Sequence, residues 1–175
     1  MRQKEEKRKR GKGIMIGIII AVIAAILILA LSGVLVKREY IVGKDIASSD
    51  VTEFYYTYSS TTNPAKYQRY HFFIEDGKYY FYHESKEGHH LPLTDDDITS
   101  SGRFELSEDE WNEFITYLDK GTVKKREEST ESGNAGPYLY LYWSGDRGKY
   151  QEFSFLSKAA QNEFEDFCIE LKNTQ

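Results

Sequence analysis

Cysteine is all but missing. Cys168 stands alone, so no internal disulfide can brace the chain, and the disulfide-stapled mini-protein class is excluded. Three prolines among 175 residues exclude a collagen-like or proline-rich polymer. No glycine-rich phosphate loop, no nucleophile-elbow serine and no recognised metal-ligand spacing is present. The expectation is therefore a protein without a cofactor, and not an enzyme. Excess positive charge is lacking too: 23 basic residues face 28 acidic ones, a net charge of -5. Phosphate contacts need clustered Lys and Arg, so nucleic acid is not an expected partner.

What is there divides into two unlike pieces. Residues 1–12 carry seven basic side chains against Glu5 and Glu6. Residues 13–36 then hold no charge, and nearly all are Ile, Leu, Val, Ala or Gly. A helix of that length would extend roughly 36 Å, against a hydrocarbon core of about 30 Å. The run predicts a transmembrane helix over 13–36. Ala30-Leu31-Ser32 could serve as a signal cleavage site, but the apolar run far exceeds the ~7–15 residues of a signal peptide's apolar region. Basic residues before the span predict a cytoplasmic tail over 1–12 and an extracytoplasmic remainder, in a single-pass cell-membrane protein partnered by the lipid bilayer. Beyond position 12 the balance is 16 basic to 26 acidic residues. Gly13, Gly17, Ala21 and Ala25 recur every fourth residue, a spacing that lets two helices approach closely and makes them candidates for a homodimer through this face, although Gly and Ala are common in membrane helices and reach this spacing by chance. Residues 37–50 read as a juxtamembrane linker, and 51–175 as the folded domain.

That domain is rich in hairpin signals. Asp76-Gly77 separates two aromatic runs, the preferred two-residue turn. It predicts the pairs Glu75–Lys78, Ile74–Tyr79 and Phe72–Phe81, with Tyr70, Phe72, Ile74, Tyr79 and Phe81 on one face. A second hairpin is expected from Tyr138 to Phe155 through a turn at 144–148, with Leu139, Leu141 and Trp143 opposite Tyr138, Tyr140 and Tyr142. Val51 to Ser60 reads as a further strand, and 121–126 as an additional short one. Ser107 and Glu110 form a capping box, and Trp111, Phe114, Ile115 and Leu118 then share a helical face. Gly121 is the expected helix stop. A second helix begins near Ser157 with Phe164, Phe167, Cys168 and Leu171 on one side. Leu106-Ser107 and Asn112-Glu113-Phe114 recur as Leu156-Ser157 and Asn162-Glu163-Phe164, which hints at two similar strand–strand–helix units. The expected class is α+β, an antiparallel sheet with both helices on one face behind an N-terminal transmembrane helix.

Candidate chemistry is sparse. Cys168 sits on an apolar helical face, where cysteine acts as a small hydrophobe. The stretch 84–103, read as a loop, offers His89, His90, Asp95 and Asp97 as weak metal candidates, although adjacent histidines point apart in an extended chain. His71 and His83 fall on hairpin strands. Tyrosine is the stronger signal, with 14 residues, all beyond position 36. Tyr80, Tyr82, Tyr138, Tyr140 and Tyr142 fall opposite the core-facing positions, and would form an outward aromatic strip if helices cover one side. Tyrosine joins rigid apolar area to a hydroxyl, which suits protein contacts. The expected function is an extracytoplasmic interaction module with a protein partner. The alternatives are a metal-dependent enzyme using the His89/His90 loop, or a ligand-sensor subunit. The layout of basic tail, plain anchor and acidic tyrosine-rich domain resembles that of many small bacterial membrane proteins.

Overall fold

Strands rich in aromatic and β-branched residues build one eight-stranded antiparallel sheet in the computed structural model, which describes residues 15–28, 39–119, 121–124, 136–144 and 152–174. The strands are β1 (Glu39–Ile41), β2 (Val51–Ser60), β3 (Ala65–Glu75), β4 (Lys78–Gly88), β5 (Ile98–Leu106), β6 (Thr122–Lys124), β7 (Gly136–Trp143) and β8 (Glu152–Ser154). Their order is β1-β6-β8-β7-β2-β3-β4-β5. Three α-helices are described: α1 over 15–28, α2 (Glu108–Leu118) and α3 (Lys158–Thr174). The chain divides into two units, Met1–Arg38 and Glu39–Gln175, with α1 in the first and all else in the second.

The expected transmembrane helix over 13–36 requires correction. The helix among the described residues covers 15–28. No helix among the described residues is long and apolar enough to cross a membrane. The single-pass cell-membrane localisation, with a cytoplasmic N-terminus and an extracytoplasmic C-terminal domain, rested on that span and falls with it. Of the expected self-association row, Gly13 lies outside the described residues. Gly17, Ala21 and Ala25 lie on α1, where a methyl added at Gly17 would meet nothing within 4 Å.

The β3–β4 hairpin follows the expected register, with Glu75 opposite Lys78, Ile74 opposite Tyr79 and Phe72 opposite Phe81. Asp76 and Gly77 both take positive φ, 52° and 76°, as a tight primed turn demands. The second expected hairpin is recovered in part. β7 and β8 pair at Tyr140–Glu152, while 145–151 lies outside the described residues.

Two boundaries shift. The expected linker over 37–50 contains edge strand β1, and Val42 and Ile46 are buried in the core. Gly43 turns this segment back with φ 78°, and the Val42 N–H donates to the Gly121 carbonyl at 2.9 Å. The expected loop over 84–103 is mostly sheet, with β4 running to Gly88 and β5 beginning at Ile98. Polar β5 alternates around Gly102, Phe104 and Leu106 too weakly to announce a strand in isolation.

Phe54, Phe72, Phe81, Phe114, Phe153 and Phe164 are fully buried and form the centre of the core. Phe114 of α2 stacks on Phe72 with centroids 4.0 Å apart, and Phe164 of α3 meets Phe54 edge-on at 5.4 Å. Both helices therefore cover the same sheet face. Ser107 caps α2 as expected, its side chain accepting from the Glu110 N–H while Glu110 reaches back to the Ser107 N–H at 2.7 Å. Gly121 has a different reason from the one expected: an added Cβ would stand 2.1 Å from Cζ of Phe153. Its small size admits a core ring.

Candidate functional site

A strand presents alternate residues to opposite faces. Phe54, Tyr56, Tyr70, Phe72, Phe81, Leu139 and Leu141 point toward α2 and α3. Their neighbours in sequence necessarily occupy the other face, which neither α2 nor α3 covers. Across it, β7 contributes Tyr138, Tyr140 and Tyr142, β2 contributes Glu53 and Tyr55, and β3 contributes Arg69, His71 and Phe73. β4 adds Tyr80, Tyr82, Glu84 and Lys86, and β5 adds Arg103.

These side chains form a continuous stack. Tyr142 meets Tyr55 edge-on at 6.1 Å, and Tyr55 stacks on His71 at 4.0 Å. His71 stacks on Phe73 at 4.4 Å, and Phe73 on Tyr80 at 5.4 Å. The Arg103 guanidinium closes the row, 4.3 Å from the Tyr80 ring centroid and 5.1 Å from that of Phe73, in cation–π range. Most of these rings are half-buried; Tyr138 is exposed.

The polar tips are held from within the face. Tyr55 donates its hydroxyl to Glu53 at 2.6 Å, and Nε2 of His71 lies 2.7 Å from the same carboxylate oxygen. The hydrogen bond from His71 holds the Glu53 carboxyl below its ordinary range. Burial, helped by Glu53, pushes the Tyr55 hydroxyl up. Tyr82 donates to Glu84 at 2.7 Å, and its hydroxyl is likewise raised, first by burial. Ion pairs frame the aromatic row: Lys78 with Glu105 at 2.8 Å, Arg103 with Glu75, and Lys86 with Asp95 at 2.7 Å. These pairs are largely exposed and add little stability. Their effect is to leave the face close to neutral.

Tyr80, Tyr82, Tyr138, Tyr140 and Tyr142 all lie on this face, but in two groups on β4 and β7, separated by β2 and β3. The intervening Tyr55, Arg69, His71 and Phe73, together with Arg103, were not singled out from sequence. Alternation about Tyr70, Phe72 and Ile74 does assign Arg69, His71 and Phe73 to this face. Nothing local announces that β2 lies between β3 and β7.

The His89/His90 segment joins β4 to β5. Nδ1 of His89 lies 2.7 Å from the Asn63 side-chain oxygen, and Nε2 of His90 lies 3.2 Å from Asp97. Asp97 accepts from the Thr94 N–H at 2.7 Å and Asp95 is taken up by Lys86. Among the described residues no three His, Cys, Asp or Glu side chains converge as a metal site. Cys168 is fully buried on α3, and burial raises its thiol well above the ordinary range, opposite to what a nucleophile needs.

A second polar cluster sits on the helical side. Tyr56 donates to Glu165 at 2.5 Å and Gln161 to the same oxygen at 2.8 Å. Comparison with known protein families, with curated proteins and with solved structures finds no match to this chain.

Proposed function

We propose that this chain is an interaction module that binds a partner protein through the sheet face opposite α2 and α3. The observation that carries the reading is the row from Tyr142 through Tyr55, His71, Phe73 and Tyr80 to Arg103. Aromatic rings lose little conformational freedom on binding and offer both apolar area and polar tips, so Tyr and Arg dominate binding hot spots. An aromatic patch of this extent on a sheet face that neither α2 nor α3 covers usually has a use. The charges on the face are mixed in sign and, Arg69 aside, matched in pairs, so the fitting partner is neither a polyanion nor a polycation. It is a protein surface with an apolar centre and a mixed-charge rim.

The test uses the full chain in its native cells, with a photo-crosslinking benzoylphenylalanine at Thr57 of the open face or at the exposed Glu113 of α2. A discrete protein adduct from position 57 alone is expected. Tyr140→Ser with Tyr142→Ser should cut its yield about tenfold or more, in keeping with loss of two aromatic hot-spot residues. Equal adducts from both positions, or an adduct indifferent to the double substitution in a chain of unchanged circular dichroism, would overturn the proposal.

A further inference from the structure

At one end of the same face a cavity of about 480 Å³ opens between β3, β4 and the segment joining β4 to β5. That volume is in the range of small-molecule sites. Its walls differ in character. Leu91, Pro92 and Leu93 supply apolar surface, Tyr67 supplies a ring, Arg69 and Lys86 supply cations, and Glu84 and Asp95 supply carboxylates.

The cations are not equivalent. Lys86 is held by Asp95 at 2.7 Å and by Glu84 at 3.6 Å. Lys66, also at the wall, pairs with Glu87 at 3.4 Å. The Arg69 guanidinium has no ion pair or hydrogen bond among the described residues, and its Nε is buried without a partner. Its cross-strand neighbour Glu84, directly opposite in register, is turned instead to the Tyr82 hydroxyl and to Lys86. Arg69 therefore lines the cavity with no hydrogen bond or ion pair among the described residues, its carbon 5.7 Å from the Tyr67 centroid. A buried donor without a partner is costly. A planar guanidinium fork is matched best by a carboxylate, which it binds through two parallel hydrogen bonds.

We infer that this cavity is a binding site for a carboxylic acid with an apolar body, its carboxylate on Arg69 and its body against Tyr67, Leu91, Pro92 and Leu93. The unpartnered guanidinium fork calls for a pair of acceptor oxygens, and the apolar wall calls for a body to cover it. The inference stands apart from the protein-docking reading, because a small acid can fill the cavity whether or not a partner covers the aromatic row.

Titration calorimetry on the full chain tests it with 3-phenylpropionate, 3-phenylpropionamide, inorganic phosphate, and a short peptide ending in Leu-Phe with a free or an amidated C-terminus. The acid is expected to bind and its amide to bind at least tenfold more weakly. Binding of the free-ended peptide as tightly as the acid would assign the carboxylate to a peptide terminus; binding of the acid alone assigns it to a free organic acid. Arg69→Gln should weaken acid binding at least tenfold. Because Arg69 lies mid-strand, Leu91→Asp provides a second variant: Leu91 is 61% exposed, so the change leaves the core intact and places a repelling charge at the mouth. It should weaken the acid severalfold and leave the amide unchanged. Equal binding of acid and amide, phosphate binding as tight as the acid, or indifference to both substitutions would overturn the inference.

Discussion

His83 shows what a single side chain can do to this molecule's response to acid. It lies on the core face of β4, almost fully buried, between Phe81 and Phe104, and its Nδ1 has no partner among the described residues. Gly102 makes room for it, since a Cβ there would stand 2.9 Å from Nε2. Burial, with Lys172 nearby, lowers its pKa below the ordinary 6.5. The unfolded chain then binds a proton more readily than the folded one, so stability is full above about pH 6.5 and declines as pH falls toward the folded value. Glu53, also depressed, adds a separate loss beginning nearer its ordinary 4.5. Urea unfolding at about pH 8 and about pH 5 should show a clear stability loss in the natural chain. In His83→Leu that loss should shrink by more than half. An unchanged pH dependence would remove His83 as its source.

At the scale of elements, the signals that proved readable are local ones. The Asp76-Gly77 turn has φ positive at both residues, and chain chemistry alone demands such residues there. The α2 cap closes within four residues through Ser107 and Glu110. Ser107→Ala should cost about 1 kcal/mol of stability, read as a lowered denaturation midpoint with an unchanged slope. A cost near zero would mean that packing of Trp111, Phe114 and Leu118 holds the helix start without its cap. Elements lacking such signals went unseen. β1 has three residues and β5 is largely polar; each is a strand because a neighbouring strand offers its hydrogen bonds.

For the whole molecule, the decisive feature is how the sheet is closed at its β1 edge. β1 pairs with β6, and Val42 and Ile46 that follow it are buried in the common core. Burying two such side chains contributes roughly 3–6 kcal/mol, a large share of the ~5–15 kcal/mol of a typical domain. A fragment of residues 39–175 should therefore unfold cooperatively, whereas 51–175 should be unstable or aggregate. Equal melting of the two fragments would show that the β1 segment is dispensable. The aromatic row belongs to this scale as well. Its members come from β7, β2, β3, β4 and β5, and only the strand order β7-β2-β3-β4-β5 makes them neighbours.

Sequence alone determined the α+β class, the β3–β4 register, the two amphipathic helices with their buried faces, and the alternation that sends tyrosines away from the core. These follow from turn stereochemistry, capping and hydrophobic period, all forces that act within a few residues. The apolar run over 13–36 shows the limit of composition, for among the described residues no helix is long and apolar enough to cross a membrane. Tertiary structure decided which strands adjoin, that 39–46 belongs to the fold, that His71 bridges Tyr55 and Phe73, and that Arg69 makes no ion pair among the described residues. Those facts depend on pairings between residues far apart in the chain, whose energies arise only once the sheet has assembled.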